Sequence, residues 1–512
     1  MPELAAVGID LGTTYSAVAI MNDHGQAEIV PNAESDRLTP SAVFFDDDTI
    51  VVGQIAKDAA ATNPDQVVMF VKRQMGSQHW YFSYDQQRHS PSDVSAMIIN
   101  KLKKDAEQAL GRELTHAVIT VPAYFDDDRR RATISAASIA GFKGCDLLNE
   151  PTAAAIAFGV TNTDRQETVA VYDLGGGTFD VTIMRVEGKN IQILSCDGDH
   201  QLGGKDFDDA IMKYAVERFT QEHSFDPTID PYVAADLRAQ AEKVKRELSK
   251  RSKTLLVLRA QGKTSQIEVR REQFESMIKS KLDITLTVVR SALAAAQLTP
   301  GHIDRVLLIG GSTRVPAVRT TLAQFFGKEP DASVNPDEAV ALGAAIMAAK
   351  KAVERSFEDV APPIVEKVGG LHITDVTSHS FGIEASVPNT NKRINSILIP
   401  RNSPIPTEVT KEFITTLPGQ TAIKVVIYQG EFDDPALCNP VGEFMLSGLP
   451  ADRPAGRKVR VTIACDTNGV LSVTALDIET GKETRTEVTY KSGASPTQIS
   501  AKQRWLEQKP VM

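Results

Sequence analysis

Two short stretches of this chain carry the same potential chemistry. Val7-Gly8-Ile9-Asp10-Leu11-Gly12-Thr13-Thr14 is matched by Val171-Tyr172-Asp173-Leu174-Gly175-Gly176-Gly177-Thr178. Each reads as a strand, then Asp-Leu-Gly, then small residues, then a second strand, at 16–20 in one case and 180–184 in the other. A glycine-rich hairpin lets backbone N–H groups approach phosphate oxygens closely, and threonine hydroxyls add donors. An Asp closing each first strand can hold a hydrated Mg²⁺, an ion that favours carboxylate, water and phosphate oxygens. One such turn alone is an ordinary tight hairpin. Two with the same flanks, facing across a cleft, make a clamp for the phosphate tail of a nucleotide.

The common alternatives fail on particular residues. Gly262-Lys263-Thr264 has the ending of a P-loop, but Val257 stands where its first glycine must be. No GxGxxG joins a strand to a helix. Further along, Val306-Leu307-Leu308-Ile309 runs into Gly310-Gly311-Ser312-Thr313-Arg314, a turn that permits close backbone approach to a ligand. Asn335-Pro336-Asp337-Glu338 is expected to open a helix, with Asn335 as N-cap. The small residues of 339–349 imply close packing against a neighbour. Glu242, Lys245, Arg246 and Ser249 are spaced to share one helical face, whose ordinary meaning is a solvated, salt-bridged surface.

The elements that must position these residues follow from the pattern. From residue 7 to about 350, strand-like and helix-like runs alternate, the mark of layered α/β architecture. Runs 117–121, 169–172 and 306–309 read as buried strands, and Pro91–Leu110 and 233–249 as helices. Residues 354–370 are charged, contain Pro362-Pro363 and end in Gly369-Gly370, which reads as a linker. Short strands follow at 413–415, Ala422–Gln429, 458–464 and 470–477, with Asn468-Gly469 as a hairpin turn. The tail from Lys491 has room for one short helix.

Bulk composition narrows the function classes. The 512 residues allow two to four domains, and 42% hydrophobic with 24% charged residues is ordinary for a soluble globular protein. A net charge of −10 disfavours general nucleic-acid binding. No apolar run reaches the roughly 18 residues of a membrane helix, and Met1-Pro2-Glu3-Leu4 begins no signal peptide, so a cytoplasmic chain is expected. Cys145, Cys196, Cys438 and Cys465 form no CxxC pair and read as buried, reduced thiols rather than a zinc site.

Taken together, these residues resemble the seventy-kilodalton heat-shock chaperones of the DnaK type over about residues 5–490. The most specific pieces are the two Asp-Leu-Gly turns, Val121-Pro122-Ala123-Tyr124-Phe125, Asn149-Glu150-Pro151-Thr152-Ala153-Ala154-Ala155 and Gly310-Gly311-Ser312-Thr313-Arg314. The resemblance implies an actin-like ATPase fold, α/β, of two lobes, each a mixed sheet flanked by helices, over residues 1–352. A linker at 353–374, an all-β sandwich that binds peptide at 375–490 and the remnant of a truncated helical lid at 491–512 complete the implied plan. It implies an ATP-dependent chaperone of protein folding and the stress response, using ATP and ADP with Mg²⁺ and, as an optional further ion, K⁺. Unfolded or extended peptides, a J-domain co-chaperone and a monomeric state are implied; the exchange factor is left open.

Residue by residue, the resemblance assigns Asp10 and Asp173 to the hydrated Mg²⁺. It gives Gly12, Thr13, Thr14, Tyr15, Gly175 and Gly176 to phosphate binding, and Lys72 to the γ-phosphate and attacking water. Glu150 and Thr178 help set that water and the metal shell, and Gly203 and Gly204 lie along the phosphates. Glu242, Lys245, Arg246 and Ser249 grip the adenosine, against a wall of Gly310, Gly311, Ser312, Arg314 and Asp337. Ile383, Phe413, Ile423 and Val425 would line the peptide pocket, with an ordinary core position as the alternative for each. Ser386 and Thr416 would arch over the peptide.

Four departures from the family are visible. The segment between Gly76 and Ser92, where exchange factors usually grip, is shorter. The linker reads Leu371-His372-Ile373-Thr374-Asp375 in place of a leucine run, which is expected to weaken its docking by about 1–3 kcal/mol. Ser386 and Thr416 make the peptide arch more polar. The lid is shortened in the way the short specialised bacterial paralogues are, which implies fast peptide exchange and low affinity. The alternative function is a nucleotide-dependent regulatory module with one dedicated partner, which would respond to one protein and not to many peptides. A sugar kinase is disfavoured, because the second domain resembles a peptide-binding sandwich and no sugar-binding signature is found.

Overall fold

The structure, a computed structural model, describes residues 5–47, 49–159, 166–331, 333, 335–355, 360–387, 390, 392–481, 483–486, 489–490 and 495–512. The expected leaderless start at 1–4, part of the expected linker at 356–359 and the start of the expected lid remnant at 491–494 lie outside these residues.

The first lobe contains β1 (Ala6–Asp10), β2 (Tyr15–Met21), β3 (Ala27–Val30), β4 (Thr39–Pro40), β5 (Ala42–Asp46), β6 (Thr49–Val52), α1 (Gln54–Ala59) and β7 (Val67–Met69). It continues through β8 (Phe82–Tyr84), β9 (Gln87–His89), α2 (Pro91–Leu110), β10 (His116–Val121), α3 (Asp127–Ile139), β11 (Gly144–Asn149) and α4 (Glu150–Gly159). Its main sheet runs in the order β11-β10-β1-β2-β3, with β4 on β2. The bounds of α2 follow from local chemistry. Ser90 and Asp93 form a reciprocal capping box at its start, and Gly111 ends it in the left-handed region.

The second lobe repeats the plan with β12 (Gln166–Leu174), β13 (Phe179–Glu187), β14 (Asn190–Asp199), α5 (Gly204–His223), α6 (Pro231–Leu248), β15 (Lys253–Ala260), β16 (Lys263–Arg270) and α7 (Arg271–Ala295). Then come β17 (Arg305–Ile309), α8 (Pro316–Phe326), α9 (Ala339–Glu354), α10 (Pro362–Val368) and β18 (His372–Val376). Its sheet order begins β17-β12-β13-β14. In each lobe a three-strand antiparallel meander takes one parallel strand on its first member, β10 on β1 and β17 on β12. The Asp-Leu-Gly repeat is thus a repeat of whole sheets.

Helix α9 wedges between α4 and β1, and its small residues are what let it in. A Cβ on Gly343 would lie 1.8 Å from the Ala153 carbonyl oxygen, and one on Gly8 would lie 2.1 Å from the Ala345 nitrogen. The helix begins at Ala339, capped by Glu338 without a side-chain bond, so Asn335 is not its N-cap. The Asn335 side chain instead accepts from the Asp337 N–H at 3.2 Å. This local Asx turn competes with helix initiation and delays it.

The remaining elements are β19 (Phe381–Ser386), β20 (Arg393–Ile399), β21 (Pro404–Ile405), β22 (Thr407–Ile414), β23 (Ala422–Gln429), β24 (Asn439–Ser447), β25 (Lys458–Cys465), β26 (Leu471–Asp477), β27 (Glu483–Thr486), β28 (Thr489–Tyr490) and α11 (Pro496–Gln508). A five-stranded sheet, β20-β19-β23-β24-β28, faces a four-stranded one, β22-β25-β26-β27. Phe381, Ile383, Val425, Phe444, Val461 and Val473 are part of the core they share.

The expected linker is ordered where it is described. It contains α10, and β18 joins the second-lobe sheet in parallel beside β14, Ile191 opposite Ile373. Strand alternation decides the cost of its altered sequence. Leu371 is buried and Ile373 half-buried, while His372 and Thr374 are exposed. The two polar replacements therefore sit on the outward side, and the expected loss of docking energy is not incurred there.

The sandwich is seated on both lobes. Arg130 Nη1 donates to the Asn468 carbonyl (3.1 Å), and the Asn468 side chain accepts from the Leu147 N–H (2.9 Å). Asp127 accepts from the Leu471 N–H (3.1 Å). Arg401 pairs with Asp197 (2.9 Å) on β14. The expected lid remnant lies elsewhere. Helix α11 packs against the first lobe, with Leu506 buried among that lobe's core residues.

Candidate functional site

The two Asp-Leu-Gly turns meet. Asp10 ends β1, and Asp173 sits one residue before the end of β12, opposite Asp180 on β13. A Cβ on Gly177 would lie 2.4 Å from Thr13 Cγ2, and one on Gly176 would lie 1.8 Å from Thr14 Oγ1. Only glycine lets the second turn press its backbone against the threonines of the first. The second turn is closed by the Gly175 N–H to the Thr178 carbonyl (3.0 Å).

A cavity of about 680 Å³ opens over these turns, large enough for a nucleotide-sized ligand. Its walls include Asp10, Gly12, Thr13, Thr14, Tyr15, Lys72, Glu150, Asp173, Gly175, Gly176 and Thr178 on the turn side. Glu242, Lys245, Arg246 and Ser249 line it from α6 and its end, and Gly310, Gly311, Ser312, Arg314 and Asp337 from the opposite side. The polar face of α6 is therefore turned into a cleft. Gly203 and Gly204 stand behind the second turn instead of on the cavity wall. Gly204 donates to the Gly175 carbonyl (2.9 Å), and Gly203 backs directly onto Gly177.

Charge is concentrated at the floor. Lys72 and Glu150 are both buried and paired with each other. Asp10, Asp173 and Asp180 crowd the same point. Burial, with Glu150 beside it, pushes the Asp10 carboxyl up to about 7. Burial, then Glu150, Asp180 and Asp10, pushes Asp173 well above the usual carboxylate range. Burial and Glu150 push Asp180 up to about 8. Lys72 lies beside these carboxylates, and among the described residues the side-chain donor to Asp10 is Thr120 Oγ1, at 3.1 Å. A site so short of positive charge fits a divalent cation. Among the described residues no three His, Cys, Asp or Glu side chains converge to ligate an ion directly.

Several residues that sequence reasoning missed tie the lobes together. Lys57 on α1 donates to Tyr15 Oη (2.8 Å) and pairs with Glu242 on α6 (2.7 Å). Arg246 reaches the same Tyr15 oxygen (2.9 Å). Arg37 forms a two-bond fork with Glu338 (2.7 and 2.9 Å). Arg73 donates to the Gly177 carbonyl (2.8 Å) and pairs with Asp206. Arg73 alone had a signal, its place beside Lys72. The residues on α6 and on the opposite wall have partners too: Lys245 with Asp208 (2.8 Å), and Arg314 with Asp337 (3.1 Å).

In the sandwich, Ile383 and Val425 are buried in the core, with Phe413 and Ile423 half-buried against it. Ser386 and Thr416 are exposed. The four apolar positions share one cluster, with the two polar ones outside it. The cysteines are unpaired; Cys196, Cys438 and Cys465 are buried and Cys145 half-buried. Among the described residues no helix is long and apolar enough to cross a membrane.

Comparison with known proteins gives one consistent answer. The family model described as Hsp70 protein matches residues 6–509. The chaperone protein DnaK of Thermosipho melanesiensis is 41% identical over 484 residues, covering 93% of this chain and 79% of the relative. The proteins of the same name from Thermotoga neapolitana and Thermotoga maritima are each 39% identical over 501 residues, covering 96% of this chain and 82% of theirs.

Proposed function

The chain belongs to the Hsp70 family, and from that premise we propose how its cleft and its sandwich divide the work of an ATP-driven chaperone. It is an Hsp70-type chaperone: a nucleotide-binding ATPase whose second part binds unfolded peptides. The relatives' names favour this over a regulatory module with one dedicated partner.

Thr13, Thr14, Gly175 and Gly176 cradle the phosphates of ATP, and the α6 face with Arg314 and Asp337 holds the adenosine. Asp10 and Asp173 would hold a hydrated Mg²⁺, which supplies neutralisation of phosphate charge when bound. Glu150 orients the attacking water and, as a neighbouring carboxylate, accepts from it. Lys72 meets the negative charge that develops as phosphate passes to water, so hydrolysis needs positioning and charge but little covalent work. Phe413 and Ile423, half-buried, form the apolar floor of the peptide site, with Ile383 and Val425 supporting it from the core and Ser386 and Thr416 as its rim.

The observation that carries the coupling is a continuous sheet. Asp173 lies on β12, which pairs β13, then β14, then the linker strand β18, which leads into the sandwich. A shift of the nucleotide turn moves the strand bearing Asp197, and Asp197 holds Arg401 of the sandwich. On this reading the chain works as a cytoplasmic monomer with a J-domain partner. ATP turnover measured with and without a peptide set and a J-domain protein tests it. Stimulation by many unrelated peptides is expected; turnover unmoved by any peptide would refute it.

A further inference from the structure

The outer edge of β6 is covered by residues 510–512. Ile50 N–H donates to the Pro510 carbonyl (3.0 Å), Met512 N–H to Ile50 (2.9 Å) and Val52 N–H to Met512 (2.8 Å). Val511 thus lies beside Ile50 as a parallel strand partner. It is buried in the first-lobe core together with Leu506 of α11. Two further contacts hold α11 in place. Lys502 pairs with Asp93 at 2.7 Å, and the Trp505 ring lies 5.2 Å from that of His89.

What β6 carries makes this position matter. One residue, Gly53, separates β6 from α1, and its φ of 104° turns the chain sharply there. Helix α1 bears Lys57, which crosses the cleft to Glu242 and caps Tyr15 beside the nucleotide cavity. The tail therefore braces the strand from which the clasp between the lobes hangs.

We propose that residues 510–512 are a strap that sets the rate at which this chain releases nucleotide. Seated on β6, they hold α1 so that Lys57 stays on Glu242 and the cleft stays closed. When they lift, α1 loosens, the clasp opens and nucleotide leaves. Three backbone hydrogen bonds and one buried valine make an attachment of the kind that opens locally without unfolding its host. Linkage makes the effect reciprocal: bound nucleotide tightens the strap by the factor by which the strap tightens nucleotide. The proposal rests on the reading of the cleft as a nucleotide site.

The test uses the full chain loaded with a fluorescent ADP analogue and chased with excess ATP. Val511→Asp removes the buried anchor and puts charge against the core. A chain ending at Lys509 cannot form the strap at all. Each should release the analogue about tenfold faster, the scale of one buried valine. In a Lys57→Ala background, Val511→Asp should add little, because the route through the clasp is already cut. Release at the wild-type rate by the chain ending at Lys509 would overturn the proposal, as would full additivity with Lys57→Ala. A wild-type chain that retains no ADP would refute the nucleotide reading itself, and the strap with it.

Discussion

Lowering the pH from about 7 to about 5.5 should loosen the sandwich from the ATPase lobes, and His379 sets the amount. His379 lies at the seam, its ring 4.2 Å from that of Tyr124 and its Nδ1 3.0 Å from Ser378 Oγ. Burial, then Arg401, Arg130 and Arg129, hold its imidazole down at about 3. Once the sandwich lifts away, the ring returns to water and to an ordinary value of about 6.5. The undocked chain then binds more protons between those values. The docking contribution is fully present above about 6.5 and is lost as pH falls toward the docked value. Across the stated window the ratio of docked to undocked chain should fall roughly eightfold, about 1.2 kcal/mol. The acidic groups facing the same seam, Asp197 and Glu431, are common to wild type and variant and cancel in the comparison. The assay is energy transfer between one dye on the first lobe and one on the sandwich, with ATP bound, for wild type and His379→Leu. Equal pH slopes in the two would refute the assignment.

Three further outcomes follow from the geometry. Lys72→Ala should keep nucleotide binding but slow single-turnover hydrolysis by about 100- to 1,000-fold, the usual effect of removing one preorganised charge; an unchanged rate in quenched-flow measurements would contradict its role. Gly177→Ala sets a methyl 2.4 Å from Thr13 Cγ2, so ATP affinity measured by calorimetry should drop at least about tenfold. Leu371→Asp puts a charge where Leu371 is only 2% exposed, and should cost docking about 2 kcal/mol or more, read by the same dye pair.

What the sequence disclosed depended on how local the signal was. The two Asp-Leu-Gly turns were legible because hairpin, glycine and carboxylate fall within eight residues of each other. Helix α2 was legible to the residue, because its cap and its terminal glycine are adjacent to it. The Lys57–Glu242 and Arg37–Glu338 pairs were not, since their partners lie 185 and 301 residues apart and nothing local marks them. Asn335 misled because its side chain could serve either a helix or an Asx turn, and Pro336-Asp337 favoured the turn. His372 and Thr374 looked costly as composition, and only the strand register showed them facing outward. The tail from Lys491 showed room for a helix but not what that helix would cover. The first lobe, not the sandwich, proved to be its seat.

On the proposed reading, nucleotide in the cleft between Asp10 and Asp173 controls how the sandwich holds peptide, through β12, β13, β14 and β18. The direct measurement is the dissociation rate of a fluorescent extended peptide from the full chain with ATP and with ADP. Release at least about tenfold faster with ATP is the predicted result, within the usual range of coupling between sites. Identical rates with the two nucleotides, at concentrations that saturate the cleft, would contradict it.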